Sequence, residues 1–583
     1  MEHRIPKQEL GDIPRFDRKF FESGDVISRI GRGFMGGKAS GLAFAHTLLR
    51  ENFPEGEYRG MELSIPRFVV VGTSVFDSFM DRNDLDDATS GELSDDRVAN
   101  AFIRAEFPAE FAGDLRGLIS SVRVPLAVRS SSMLEDAMYQ PFAGIYGTKM
   151  IPNNQGDTDT RYRKLVEAIK FVYASVFFKS ARGYFARTGQ SVANEKMAVI
   201  IQEVVGLRHQ DRFYPDVAGV ARSFNFYPIG RTKPEDGVVD LALGLGKTIV
   251  DGGRVWNYSP AFPSIAPPFT TTDLLRNTQT NFWAVNMGKP PAYDPVKETE
   301  YLVEADLKQA EQDNTLGLAA STYQADNDRF VMGIGTPGPR ILNFAPLLQL
   351  GELPVNNLIR DLLKVCDESV KAAVEIEFAL TSASRDREKS RFGFLQVRPM
   401  VVSTEPVEIG DGEFQADNIL VASERTLGNG VLTELTDIMY VRPDKFGKEH
   451  TSKIAVEIEN LNRTASADGP GYVLMGFGRW GSSDPWLGIP VDWGGISSAR
   501  VIVEATRPDM DVEMSQGSHF FHNITSLQIP HFSVPHTARR QIDWTWLESQ
   551  PIIEETEFVR LVRLDKPVTV KVDGRRGRGV ILR

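Results

Sequence analysis

The chain is almost without cysteine. Cys366 is the only one among 583 residues, so no disulfide can form within the chain and a cysteine-built metal site is excluded. No run of about 20 apolar residues occurs, the length a membrane-spanning helix requires. The first six residues, Met-Glu-His-Arg-Ile-Pro, carry no apolar signal core. Basic charge is scarce too: 66 Lys and Arg stand against 78 Asp and Glu, a formal net charge of −12. A general nucleic-acid binder needs a broad basic face, whereas an anionic ligand needs only a local cluster of cations, which an acidic protein can supply. These absences predict a cytoplasmic protein that engages neither nucleic acid nor membrane. Against them stands a hydrophobic fraction of 42%, enough for large cores, over a length that predicts several domains.

Runs of β type alternate with helical spacing along most of the chain, which predicts a mixed α/β (α+β) architecture. Residues 64–71 read as one buried strand with a proline at its edge. Residues 126–129 read as a short strand leading into a serine turn, and 164–188 as helical. Residues 196–205 and 238–243 are apolar strands, the second stopped by Gly244-Leu-Gly246. Residues 357–380 begin as a helix and end as a strand over 374–378, with 392–397 as its hairpin partner. Residues 259–300, rich in Pro, Thr and Asn, read as a long loop or insertion. A polar stretch with proline and glycines over 403–416 reads as a linker. Beyond it lies a smaller mixed domain, which ends in a strand pair joined by the Asp573-Gly574 turn.

Four separated segments suit a nucleotide. Gly31-Arg-Gly-Phe-Met-Gly-Gly-Lys38 has glycines that would let the backbone approach phosphate oxygens, with Lys38 as a point charge; as a plain structural element it is a turn. In Leu126-Ala-Val-Arg-Ser-Ser-Ser132, Arg129 and the serines would clamp a polyphosphate, or the arginine is salt-bridged beside a helix cap. The strand 197–205 ends in polar residues, Gln202 and Glu203, whose backbone would read an adenine edge; otherwise it is a core strand. Glu377 and Gln396, on neighbouring strands, would offer oxygens to Mg²⁺, with Arg398 toward the phosphates; otherwise they form a charged hairpin face.

Together these segments resemble the N-terminal ATP-grasp domain of phosphoenolpyruvate synthase and pyruvate phosphate dikinase. The resemblance runs through Gly36-Gly-Lys38, Ile65-Pro-Arg-Phe-Val-Val70, Ala127-Val-Arg-Ser-Ser131, Glu135-Asp136, Phe142-Ala-Gly144, residues 197–205, 218–225, Gly244-Leu-Gly-Lys247 and the Glu377, Gln396 and Arg398 set, and covers roughly 25–402. It implies ATP and Mg²⁺ as cofactors. Lys38, Arg129 and Arg398 would bind phosphates, Gln202, Glu203 and Val204 would border the adenine, and Glu377 and Gln396 would hold Mg²⁺. Arg182 or Arg187 would match a further phosphate-side arginine. Two positions depart from the family pattern: Lys247 stands where a glutamate is expected, and no proline follows Asn225.

The same families follow the ATP domain with a small swivelling domain that carries a phosphohistidine. Gly517-Ser518-His519, followed by Leu527-Gln-Ile-Pro530, resembles its signature, with 422–441 and 568–581 resembling its opening and closing strands. A histidine at a helix start would have free N–H groups and positive potential for a phosphoryl group. Gly517 replaces the expected threonine, and Phe520 and Phe521 replace small residues. His522 would assist or cap, and His531 and His536 read as loop or packing histidines. The segment 476–488 lies outside this pattern, and its Arg479, Asp484 and Trp486 are candidates for substrate recognition; the plain alternative is a sealing loop.

The expected organisation is an ATP-grasp domain with lobes 1–205 and 206–402, a linker at 403–416 and a swivelling domain at 417–583. No stretch remains for the (β/α)₈ barrel that binds pyruvate in phosphoenolpyruvate synthases, so the chain is not expected to make phosphoenolpyruvate by itself. The expected activity is an ATP-dependent phosphotransfer through His519, aided by Arg129 and Arg398, to a small-molecule or protein acceptor. Direct phosphorylation of a small substrate held by the C-terminal domain, and an ATP-binding regulator with little turnover, are the alternatives.

Overall fold

The computed structural model describes residues 13–583 apart from 92, 133–134, 136–143, 189–191, 193–194, 229–230, 266–269, 384–387, 401, 403–406, 467–470, 483, 511–518 and 575. The side chains of Arg187, His519 and His522 also fall outside the description. The first 400 residues are built on two principal sheets. One has five strands in the order Ile27–Ile30, Phe68–Val71, Met197–Glu203, Leu126–Ser132 and Thr148–Ile151. Its first pair is parallel and the others antiparallel. The other has six strands in the order Trp256–Tyr258, Val238–Ala242, Val217–Arg222, Val374–Thr381, Ser390–Pro399 and Met61–Ser64. Only its last pair is parallel.

The local sequence explains these elements. Met197–Glu203 is buried along its length save for a half-buried Glu203, so it reads as a continuous apolar run. Val355–Val370 buries Val355, Leu358, Ile359, Leu362, Leu363, Cys366 and Val370, the stripe of an amphipathic helix, and lies against Val374–Thr381. Thr158–Ser175 starts at Asp157, whose carboxylate accepts the Thr160 N–H at 2.7 Å, a normal N-cap.

Three expectations need correction. The strand expected at 64–71 is two strands in different sheets, Met61–Ser64 and Phe68–Val71. Pro66 has no N–H for a ladder, and the chain crosses between sheets over 65–67. It leaves the five-stranded sheet again beside that point, at 204–206. There the Glu203 N–H donates to Arg67 O (3.0 Å) and Gln202 Nε2 to Pro66 O (3.4 Å). The serine turn is strand instead: Ser130, Ser131 and Ser132 continue Leu126–Ser132 and pair with Val199, Ala198 and Met197. Residues 259–300 contain the helix Thr271–Asn277 and the strand Asn281–Asn286, the latter in a four-stranded sheet.

Residues 419–582 form a separate nine-stranded sheet. Its centre is parallel: Gly430–Val441, Tyr472–Phe477, Ala499–Ala505 and His531–Val534. The helices Thr451–Ser466 and His519–Ser526 lie in the crossovers. A crossover helix starts at the carboxyl edge of its sheet, where α/β proteins bind ligands, and residue 519 begins such a helix. Val559–Asp573 and Arg578–Leu582 form the expected closing pair, with Asp573 opposite Arg578. This region packs on the first 400 residues. The Phe521 ring lies 5.9 Å from Phe226 and 6.3 Å from Tyr227. Lys179 pairs with Glu459, and a Cβ on Gly183 would stand 3.2 Å from Gly494 Cα. No helix among the described residues is long and apolar enough to cross a membrane.

Candidate functional site

A cavity of about 300 Å³ opens between the two principal sheets. Lys38, Arg129, Gln202, Glu203, Val204, Glu377, Gln396 and Arg398 all line it, so eight residues drawn from four distant segments come together. Strand registers order them along the cleft. At one end, beside the crossings at 65–67 and 204–206, stand Val204, Val205, Pro215, Phe378, Ala379 and Leu395, an apolar end suited to a flat base. Toward the other end, cations and oxygen ligands accumulate.

That polar end is built from cross-strand rungs. Glu377 lies directly opposite Gln396 on one neighbour and Val220 on the other; Glu375 lies opposite Arg398 and Arg222. A register shift between Glu377 and Phe378 leaves Leu395 as a bulged residue, a usual device for re-aiming chain beside a site. Arg129 reaches across from the other sheet. Its guanidinium donates to Gln396 Oε1 (2.6 Å), Leu395 O (3.2 Å), Gln202 Oε1 (3.4 Å) and Glu377 Oε2 (3.4 Å). Arg398 Nε donates to Glu375 Oε1 at 2.6 Å, and Glu377 Oε1 lies 3.7 Å from Arg398 Nη2.

The oxygens of Glu377 and Gln396 fit a magnesium ion, which takes few protein oxygens and completes its shell with phosphate and water. Arg129 now engages both, so an entering cation would displace it. Among the described residues no group of three or more His, Cys, Asp or Glu could hold a metal ion.

The glycine segment works differently from the expectation. A Cβ on Gly36 would lie 1.8 Å from Ser131 O, and one on Gly37 1.7 Å from Glu135 O. These glycines let the start of Gly36–Asn52 press onto the serine strand, rather than onto a ligand. The serine hydroxyls are engaged in the same joint. Ser131 Oγ donates to Met35 O and accepts the Ala39 N–H, and Ser130 Oγ donates to Glu135. Lys38 Nζ donates to Glu135 Oε1 at 2.7 Å and to Ser130 Oγ at 3.2 Å. Lys38 is thus a cavity-wall ammonium already paired with a buried carboxylate.

The facing wall carries Lys247, which the sequence marks as a reversed charge, with Asp251 and Glu298, which it does not single out. Lys247 Nζ stands 2.8 Å from Asp251 Oδ2, and the carboxylate of Glu298 accepts the Thr148 N–H at 3.3 Å. Burial opposes the Lys247 charge, but Asp251 and Glu298 outweigh it and hold its pKa above the ordinary lysine value. Burial raises the Glu298 carboxyl in spite of Lys247, and raises Glu203 against the pull of Arg391 and Arg67. In the sequence Lys247 stands out as a charge reversal expected beside the nucleotide, whereas Glu298 lies in a stretch that reads as loop.

The remaining candidates do not meet in one place. Arg182 lies against Gly91 and Asp95 and does not line the cavity; the side chain of Arg187 lies outside the described residues. Arg479 Nη1 donates to Gly252 O (2.8 Å) and Gly253 O (3.3 Å). Arg479 shares a cavity of about 20 Å³ with Glu504, Phe521 and His531, too small for an organic substrate. Asp484 Oδ1 accepts the Trp486 N–H (2.9 Å), and Trp486 is 64% exposed. His531 is buried, 3.3 Å from Glu504 Oε2 and 3.4 Å from Tyr227 OH. His536 lies 3.4 Å from Thr506 Oγ1. Residue 519 begins its helix, but Gln516, Gly517 and Ser518 and the side chains of His519 and His522 lie outside the described residues.

No curated protein matches the chain. The family of the pyruvate phosphate dikinase AMP/ATP-binding domain matches residues 33–413, a span that takes in every strand of the two principal sheets except Ile27–Ile30 and every residue of the 300 Å³ cavity. With nearly two thirds of its length matched, the chain belongs to the family of the pyruvate phosphate dikinase AMP/ATP-binding domain.

Proposed function

We propose that the protein is an ATP-dependent phosphotransferase of the dikinase type in which His519 carries the phosphoryl group to a separate small-molecule or protein acceptor. ATP lies along the cleft, with its base at the apolar end beside Gln202, Glu203 and Val204 and its phosphates toward Lys38, Arg129 and Arg398. Glu377 and Gln396 would hold Mg²⁺, which neutralises developing phosphate charge. Residues 1–205 and 206–402 act as the lobes, 403–416 as linker and 417–583 as the swivelling domain. One observation carries the reading. Phe521, two residues along from His519, packs on the Arg222 guanidinium at 5.8 Å. Arg222 shares Glu375 with the cavity-wall Arg398. The helix that begins at His519 thus docks at the phosphate end of the cleft.

An imidazole nitrogen of His519 forms a P–N bond with the β-phosphorus as the α–β bridging P–O bond breaks, and the bond pair leaves on AMP. The histidine then holds both the β- and γ-groups; water releases orthophosphate and leaves one phosphoryl for the acceptor. The test is ATP labelled at the β or γ position, with acid-labile label sought on His519 and the nucleotide product identified. β-label retained on wild type and absent from His519→Asn, with AMP released, is the expected result. ADP as the product, with no labelled protein, would instead indicate direct transfer to a substrate.

A further inference from the structure

We infer that Arg222 binds the phosphoryl group during its passage between the nucleotide and the C-terminal region; this deepens the carrier reading and rests on it. The strand Val217–Arg222 presents Ala218 and Val220 to the cavity, and with a side-chain period of two Arg222 is the next residue on that face. Across the ladder Arg222 faces Glu375 as Val220 faces Glu377. The polar end of the cleft therefore continues one rung further, into a row of Arg222, Glu375 and Arg398.

Arg222 is 1% exposed. Its Nε donates to Glu375 Oε2 at 2.6 Å and its Nη1 to Asp240 Oδ2 at 3.1 Å. Asp240 is itself held by Asn257 Nδ2 at 2.8 Å. The third nitrogen, Nη2, is buried and has no hydrogen-bond partner among the described residues. A buried donor left unpaired costs about 1–3 kcal/mol, a penalty that a phosphoryl oxygen would relieve. Two charged partners fix the fork while its outer nitrogen is left without one, the arrangement of a preorganised oxyanion donor. The Phe521 ring beside it belongs to the helix that starts at His519, so this guanidinium stands between the Arg398 wall and the carrier helix. During transfer Arg222 makes no covalent bond. Its Nη2 donates to a non-bridging oxygen while the P–N bond forms and the bridging P–O bond breaks.

The test uses the full chain, with Arg222→Lys and Arg222→Gln. Lysine keeps a cation for Glu375 and Asp240 but lacks the open prong. For each variant three quantities are measured: the rate of label transfer from β-labelled ATP, the ATP affinity, and the unfolding midpoint. The expected result for Arg222→Lys is a transfer rate about 100-fold lower, with ATP affinity and midpoint close to wild type. A rate within about threefold of wild type would overturn the inference, as would a loss that follows ATP affinity or midpoint, since Arg222 would then be only structural. Absence of label on wild type sinks the carrier reading and this inference together; equal labelling of wild type and Arg222→Lys sinks the role of Arg222 alone.

Discussion

Glu375 is the residue whose neutralisation should be felt most. It is 2% exposed and receives Nε of Arg222 and Nε of Arg398, each at 2.6 Å. In Glu375→Gln one carboxylate oxygen becomes an NH₂ group that points a donor at a guanidinium, and the two buried cations keep Asp240 beside Arg222 and the more distant Glu377, 3.7 Å from Arg398. Removing one partner from a buried ion pair costs about 3–5 kcal/mol, and the mismatched donor puts this variant toward the upper figure. A global unfolding midpoint would blur the effect in a chain of several domains. Hydrogen exchange is the better assay, read on peptides spanning 217–222, 374–381 and 390–399. Saturating Mg·ATP adds negative charge beside Arg398, so bound nucleotide should narrow the difference from wild type. Protection within about 0.5 kcal/mol of wild type in the free protein would refute the reasoning. So would a deficit that Mg·ATP leaves unchanged.

Lys247→Met removes the cation beside Asp251 and Glu298 and leaves two carboxylates on the cavity wall; ATP affinity should fall about tenfold, and an unchanged titration curve would refute this. The Cys366 thiol, pushed up to about 12 by burial, is protonated across the range of ordinary thiol reagents. Native protein at pH 8 should therefore resist labelling that proceeds fully after denaturation, and rapid stoichiometric labelling of native protein would contradict its placement. Gly36→Ala places a Cβ 1.8 Å from a backbone carbonyl at φ +77°, whereas Gly24→Ala meets nothing within 4 Å. The first should abolish soluble folded protein and the second leave the unfolding midpoint within a degree or so; comparable yields and midpoints would show that the joint tolerates the intrusion.

The residues legible in the sequence were those whose chemistry and strand pattern coincide locally. Glu377 and Gln396 sit on strands that follow one another in sequence, Val374–Thr381 and Ser390–Pro399, so their neighbourhood is legible locally although the bulge at Leu395 that sets their register is not. Arg129 and the Gln202–Val204 stretch were read from strand ends, and both reached the cavity. Arg222 and Glu375 were not assigned roles, because their partnership is a pairing across 153 residues that no local pattern encodes. Glu298 was hidden in a proline-rich stretch without clear periodicity. The glycines at 36 and 37 were read as ligand-facing, since a glycine signals close approach without saying what approaches. Periodicity makes 64–71 a single strand because it does not reveal a change of sheet, although Pro66 marks the place.

Two of the places where the chain leaves one sheet for another, at 65–67 between the principal sheets and at 204–206 into the four-stranded sheet, lie side by side and are stitched together by Glu203 and Gln202. The first of them joins the two principal sheets directly, like the spine between two covers. Were the sheets to part about that spine, Lys38, Arg398 and Arg222 would be displaced most and Val204 and Pro215 least. Phe521 on Arg222 would then be a clasp on the page edges: under the proposed carrier role, small rotations at the spine would become large displacements where the clasp fastens or lets go.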